Sequence, residues 1–143
     1  HRCQQIAEIN GVRFIDDSKG TNIGATEAAL NGLGGARDIL LIAGGQGKGA
    51  DFTGLQAAVA AHCRLLVLIG EDAGLMRSAL GDSAPVVMAA SMDEAVAAAA
   101  GQARPGDCVL LSPACASFDM FSGYVERGEA FSQAVARLGE VQS

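Results

Sequence analysis

Ile39-Leu40-Leu41-Ile42-Ala43-Gly44-Gly45-Gln46-Gly47-Lys48-Gly49-Ala50-Asp51-Phe52 decides the class of this chain. It opens with an unbroken apolar run, the mark of a strand covered on both faces. A glycine-rich turn follows. Then Phe52, Leu55, Ala58 and Val59 recur at helical spacing, so 52–63 reads as a helix. The same order returns three times. Leu65–Ile69 is a buried strand before a short helix over Ala73–Leu80, and Pro85–Ala89 is a strand before a helix running to about Gln102. Cys108–Leu111 is a strand before a closing helix over Gly128–Leu138. Ser91-Met92-Asp93-Glu94 is a capping box, in which the serine hydroxyl and the glutamate carboxylate satisfy end amides reciprocally. Strands alternating with helices imply a parallel sheet with helices on both faces.

Upstream of that unit the pattern differs. Asn10-Gly11 separates the segments Arg2–Ile9 and Val12–Ile15. Such a pair is the strongest short hairpin signal, because both central residues need positive φ. A first helix over Ile23–Leu33 follows, ended by Gly34-Gly35. The expectation is an α/β fold of three layers, αβα. Its sheet is mostly parallel, of about six strands, with one antiparallel strand from the N-terminal hairpin.

Composition sets the limits. A chain of 143 residues is read as a single domain, 1–143. That length buries about 68–70% of the unfolded surface. Half the residues are hydrophobic but only 4% are aromatic, so the core is built from Ala, Val, Leu and Ile. A net charge of −6 argues against nucleic acid, which needs a basic stripe. A small anionic ligand is still compatible, because local lysines can override the global sign. Cys3, Cys63, Cys108 and Cys115 form no C-x-x-C pair and read as reduced cytosolic thiols. The only histidines are His1 and His62, so no metal site is expected. No apolar run reaches the roughly 18 residues of a membrane helix, and signal-peptide features are missing. No membrane partner is expected, and the cytoplasm is the expected location. His1 in first position points to a piece excised from something longer.

Three loops carry the chemistry, and each follows an apolar strand. Asp16-Asp17-Ser18-Lys19-Gly20-Thr21-Asn22 packs carboxylates, a lysine, hydroxyls and an amide where a strand hands over to a helix. Thr21 or Asn22 can cap that helix, but capping alone does not explain two adjacent aspartates. The glycine loop is not a Walker A sequence, because Ile42 stands at its first glycine position and Gly49 follows the lysine. Gly45-x-Gly47-x-x-Ala50 does fit a dinucleotide fingerprint, with Glu71 past the next strand. An NAD-binding domain is therefore one alternative, although Asp51 puts a carboxylate where a pyrophosphate docks. A lysine in a glycine cradle suits a carboxylate or phosphate contact better. The third loop, Ser112-Pro113-Ala114-Cys115-Ala116-Ser117-Phe118-Asp119, has small residues that let a ligand approach the backbone and a hydroxyl at Ser117. No neighbouring base marks Cys115 as a nucleophile. A non-catalytic interaction module is the second alternative.

Together DSKGTN (17–22), GGQGKGADF (44–52), LLSPACASFDMF (110–121) and Glu126-Arg127-Gly128 resemble the C-terminal domain of the Mur ligases, most narrowly the D-glutamate-adding branch. The resemblance runs along the whole chain. It implies a Rossmann-like domain, the C-terminal part of a bacterial peptidoglycan ligase whose nucleotide-sugar-binding and ATPase domains lie outside this sequence. It also implies ATP and Mg²⁺ as cofactors, with D-glutamate and UDP-N-acetylmuramoyl-L-alanine as substrates. The D-glutamate amine would attack an acyl phosphate made in the ATPase domain. By motif position, Lys48 and Thr21 hold one D-glutamate carboxylate, and Ser117 with the backbone at Phe118 and Tyr124 holds the other. Arg2 approaches the transferred phosphate, Asp17 the ribose, and Lys19 supports catalysis electrostatically. The Mg²⁺ ligands would lie outside this chain. The resemblance has two departures: the branch more often has Phe at Tyr124 and Ala at Gly20, the latter expected to be a mild change.

Overall fold

The computed structural model describes residues 1–142. Its elements are β1 (Gln4–Ile9), β2 (Val12–Asp16), α1 (Ile23–Leu33), β3 (Ile39–Gly44), α2 (Gln56–His62), β4 (Cys63–Ile69), α3 (Ala73–Leu80), β5 (Val86–Met88), α4 (Met92–Gln102), β6 (Cys108–Leu111) and α5 (Tyr124–Gln142). The sheet has six strands in the order β1-β2-β6-β3-β4-β5. All neighbours are parallel except the β1–β2 pair. This is the three-layer α/β fold that the alternation of apolar runs and helical periods implies. Asn10 and Gly11 close the hairpin at φ 53° and 78°.

The last strand is inserted between the second and the third. Its fully apolar sequence allows this, because Cys108, Val109, Leu110 and Leu111 are all buried. Alternate residues feed two cores. Ile39, Leu41, Leu66, Leu68 and Leu110 pack with Leu30, Leu55, Val59 and Met76 beneath α1, α2 and α3. Leu40, Ile42, Val67, Val109 and Leu111 pack with Val96, Ala99, Phe131 and Val135 beneath α4 and α5. Each such side chain contributes about 1.5–3 kcal/mol by leaving water. The parallel register puts the C-terminal ends of β2, β6 and β3 side by side on one rim.

Several boundaries differ from the sequence reading, each for a local reason. The first ladder starts at Gln4 rather than Arg2. Cys3 sits at φ 45° and gives its amide to Asp17 Oδ1. The helix expected over 52–63 opens instead as a 3-10 turn, Phe52–Leu55. Asp51 accepts both the Thr53 amide and hydroxyl, and Gly54 is a poor helix former. The closing helix begins at Tyr124, four residues before the expected Gly128. Glu126 reaches back to the Ser122 amide and hydroxyl, which fixes that first turn. The capping box forms with one change of partner. Ser91 Oγ accepts the Glu94 amide, but Glu94 accepts from Ala90, one residue before the cap.

Gly44, at the end of β3, and Gly49, in the loop after it, both have positive φ but opposite surroundings. A Cβ on Gly44, at φ 128°, would overlap the Ile69 carbonyl, whereas one on Gly49, at φ 78°, would meet nothing within 4 Å. Gly49→Ala should cost about 1–2 kcal/mol, the left-handed strain alone. Gly44→Ala should cost about 4 kcal/mol, because the sheet must also part. Urea midpoints of the two variants check the order.

Candidate functional site

Main-chain bonds between the three loops build the site. The Ser112–Ser117 segment is tied on both sides. Ala114 N–H donates to Gly20 O at 2.9 Å, which joins it to the loop after β2. Ala116 and Gln46 exchange both bonds, at 2.9 and 3.0 Å, which joins it to the loop after β3. Ala114 adopts φ 61° to make these ties. Small residues at 114–116 are therefore needed for backbone-to-backbone approach. Below them, Ser112 Oγ donates to Asp17 Oδ2 at 2.7 Å, and Thr26 Oγ1 donates to the Ser112 carbonyl at 3.2 Å.

The ties leave a cavity of about 720 Å³ lined by Thr21, Lys48, Ser117, Phe118 and Tyr124, with Ser122, Glu126 and Glu129. All five residues assigned to D-glutamate by motif position thus share one cavity. Lys48 and Gly49 are the central residues of a turn closed by Ala50 N–H to Gly47 O at 3.0 Å. Both have positive φ, 52° and 78°, as in a primed turn. A left-handed lysine carries about 1–2 kcal/mol of strain, so the surroundings must hold it there. Its ammonium stands 6.0 Å from the centroid of the Phe118 ring, at the outer limit of a cation–π contact. It pairs with no carboxylate among the described residues. Ser117 is buried, while Phe118 is exposed on the rim.

Asn22, rather than Thr21, caps α1, accepting the Ala25 amide at 2.9 Å. Thr21 is left facing the cavity wall. Arg2, Asp17 and Lys19 are not in this cavity. They border a separate one of about 320 Å³, with Gly20 and one side of α1. Arg2 and Lys19 are exposed there. Asp17 is buried, and both its oxygens already have donors, the Cys3 amide and the Ser112 hydroxyl. Gly20 also differs from its expected mild role. A Cβ there would lie 2.7 Å from both Asp17 Oδ2 and Ser112 Oγ. Here the Asp17–Ser112 bond occupies the space an alanine would need.

Other groups at the rim escaped the sequence reading. His1 Nδ1 lies 2.7 Å from Asp16 Oδ2 and its ring meets Tyr124 edge-on. Arg127 is 1% exposed and donates from Nη2 to the Ser18 carbonyl at 3.1 Å. Burial pulls its guanidinium down to about 10, against the opposing pull of Cys115, Asp119 and Asp16. The expected closing helix begins at Gly128, just past Arg127, and only the fold puts Arg127 inside. Asp72 accepts the Gly47 amide at 2.7 Å. That bond also bears on dinucleotide binding. The amide a pyrophosphate would need is already bound to a carboxylate.

Among the described residues no three His, Cys, Asp or Glu side chains gather as a metal group, and no helix is long and apolar enough to cross a membrane.

Neighbouring ends of parallel strands gather one lysine and two hydroxyls around one cavity, the chemistry that suits a small anionic ligand in an α/β crevice. The sequence profile of the Mur ligase, glutamate ligase domain family matches residues 1–115, and the chain belongs to that family. The UDP-N-acetylmuramoylalanine–D-glutamate ligase of Pseudomonas aeruginosa is 56% identical over 140 residues, covering 96% of this chain and 31% of that protein. The ligase of the same name from Polaromonas is 55% identical over 143 residues, 99% of this chain and 24% of that one. The chain thus spans about a third or less of the relatives it matches. Among solved structures, a murein peptide ligase from Psychrobacter arcticus superposes with a TM-score of 0.65 at 14% identity, over 96% of this chain and 28% of that one. A domain of a ligase from Haemophilus ducreyi gives 0.61 at 18%, over 99% and 100%. At these identities the two share the fold.

The thiols provide a direct check on burial. Cys63 and Cys115 are pushed up to about 12 and Cys108 to about 11, all by desolvation. Their neutral forms support the fold below the ordinary thiol range, and that support is lost as pH rises from about 9 through 12. A thiol reagent at pH 8 should label Cys3 alone in the native chain and all four cysteines after denaturation. Rapid native labelling of Cys115 would show that the Ser112–Ser117 segment opens.

Proposed function

We propose that this chain is the D-glutamate-binding C-terminal domain of a longer, cytoplasmic bacterial ligase that adds D-glutamate to UDP-N-acetylmuramoyl-L-alanine. The observation that carries the reading is the cavity shared by Thr21, Lys48, Ser117, Phe118 and Tyr124. Lys48 supplies a positive charge with no carboxylate partner among the described residues, the group a carboxylate needs. Thr21 adds a hydroxyl beside it. Ser117, with the backbone at Phe118 and Tyr124, offers donors from another loop to the second carboxylate. Donors from three neighbouring loops around one cavity would fix both ends of a dicarboxylic amino acid and so the direction of its amine. That positioning is the contribution this domain makes to amide formation.

ATP supplies the phosphoryl group that activates the acceptor carboxylate. The residues of this chain fit its phosphates only in part. Arg2 and Lys19 are exposed cations beside one cavity. Asp17 can meet a ribose only by sharing oxygens already engaged with Cys3 and Ser112. Mg²⁺ would be held by other parts of the longer protein.

Ligation by the full-length polypeptide, with D-glutamate compared against L-glutamate, tests the reading. Lys48→Ala should remove roughly 2–4 kcal/mol of transition-state stabilisation. An unchanged rate would end the assignment. The chain alone should not ligate, and calorimetry should give a Kd for D-glutamate on the order of millimolar or weaker. A micromolar Kd would contradict the view that it forms only half of a cleft.

A further inference from the structure

Asp72 is the N-cap residue of α3, yet its side chain makes no capping bond to that helix. Aspartate at this position ordinarily accepts an amide two or three residues ahead. Here the carboxylate turns away and accepts the Gly47 amide at 2.7 Å. Its own amide donates to Gly45 O at 3.0 Å, so Asp72 grips the glycine loop twice. Gly47 is also the base of the turn that holds Lys48 in its left-handed conformation, since Ala50 N–H returns to Gly47 O. Gly47 has no slack elsewhere, because a Cβ there would strike the Phe52 ring and come within 3.2 Å of Asp72 Oδ2. The residue beside Asp72 does the same for the opposite loop. The Glu71 amide donates to Asp119 Oδ2 at 2.7 Å, two positions after Ser117.

We propose that Asp72 is a positioning residue for the amino-acid cavity: it gives up its capping bond to hold Gly47, and through Gly47 it aims the Lys48 ammonium. The turn after β4 lines none of the D-glutamate cavity, yet it grips two of the three ligand-bearing loops, those of Lys48 and Ser117. A carboxylate serves better than a neutral acceptor because charge-assisted bonds are shorter and stronger. The role rests on the function proposed above, which places a substrate carboxylate on Lys48.

The test is steady-state ligation by the full-length polypeptide, with D-glutamate varied and the other substrates saturating. Asp72→Ser can cap its own helix but cannot reach Gly47. It should hold Tm near that of the unaltered protein and raise the KM for D-glutamate about tenfold, the worth of one hydrogen bond to a charged group. Asp72→Asn keeps an acceptor oxygen in place and should stay within about threefold. In a Lys48→Ala background, Asp72→Ser should add nothing, because both changes remove the same contact.

An unchanged KM in Asp72→Ser, with Lys48→Ala still impaired, overturns this inference and leaves the D-glutamate reading standing. So does a full additional loss in the double variant, or an Asp72→Asn as impaired as Asp72→Ser. A Lys48→Ala without effect overturns the reading itself. Should Asp72→Ser fail to fold, amide hydrogen exchange of the unaltered protein decides: Gly47 must exchange more slowly than Lys48 and Gly49, and equal rates overturn the proposal.

Discussion

Everything at the rim depends on a strap of main chain, Ser112 to Ser117, lying between two other loops and bonded to both. Its strand, β6, is the last formed in sequence and is inserted between β2 and β3. The strap therefore meets the loop after β2 on one side and the loop after β3 on the other. Backbone amides and carbonyls make these ties, so side chains are spared for the ligand. The constraint on sequence is steric rather than chemical. Ala114, Cys115 and Ala116 lie where backbones approach, and a side chain at Gly20 would crowd the Asp17–Ser112 bond.

Much of this was legible from residue order. Continuous apolar runs such as Ile39–Ala43 announce a strand buried on both faces, and the Asn10-Gly11 pair announces the one antiparallel turn. Because parallel strands end on the same rim, the loops after β2, β3 and β6 could be assigned to a common edge before their contacts were known. The split into two cavities was not legible from composition or spacing; only the family resemblance separated Thr21, Lys48 and Ser117 from Arg2, Asp17 and Lys19. Thr21 and Lys19 are two residues apart, yet one borders the cavity of Lys48 and Ser117 and the other the cavity of Arg2 and Asp17. Loop conformation decides that, and composition does not encode it.

The misread boundaries share a cause. At Phe52–Leu55 and at Tyr124, a short acidic side chain reaching an amide outweighed apolar periodicity. Asp72 and Arg127 were missed for a related reason. Neither carries a local signal of its role, which needs a distant amide or carbonyl that only the fold brings within reach.

The cavity wall is of mixed sign. Lys48 stands on one side, and Glu126 and Glu129 lie along the first turns of α5. A chain of net charge −6 does not welcome a bare dianion. Glutamate brings an ammonium along with its two acids and can satisfy both polarities at once. Glutarate, the same skeleton without the amine, would face the two carboxylates with nothing to offer them. On the function proposed above, this cleft would favour a zwitterionic amino acid over a simple diacid of the same length.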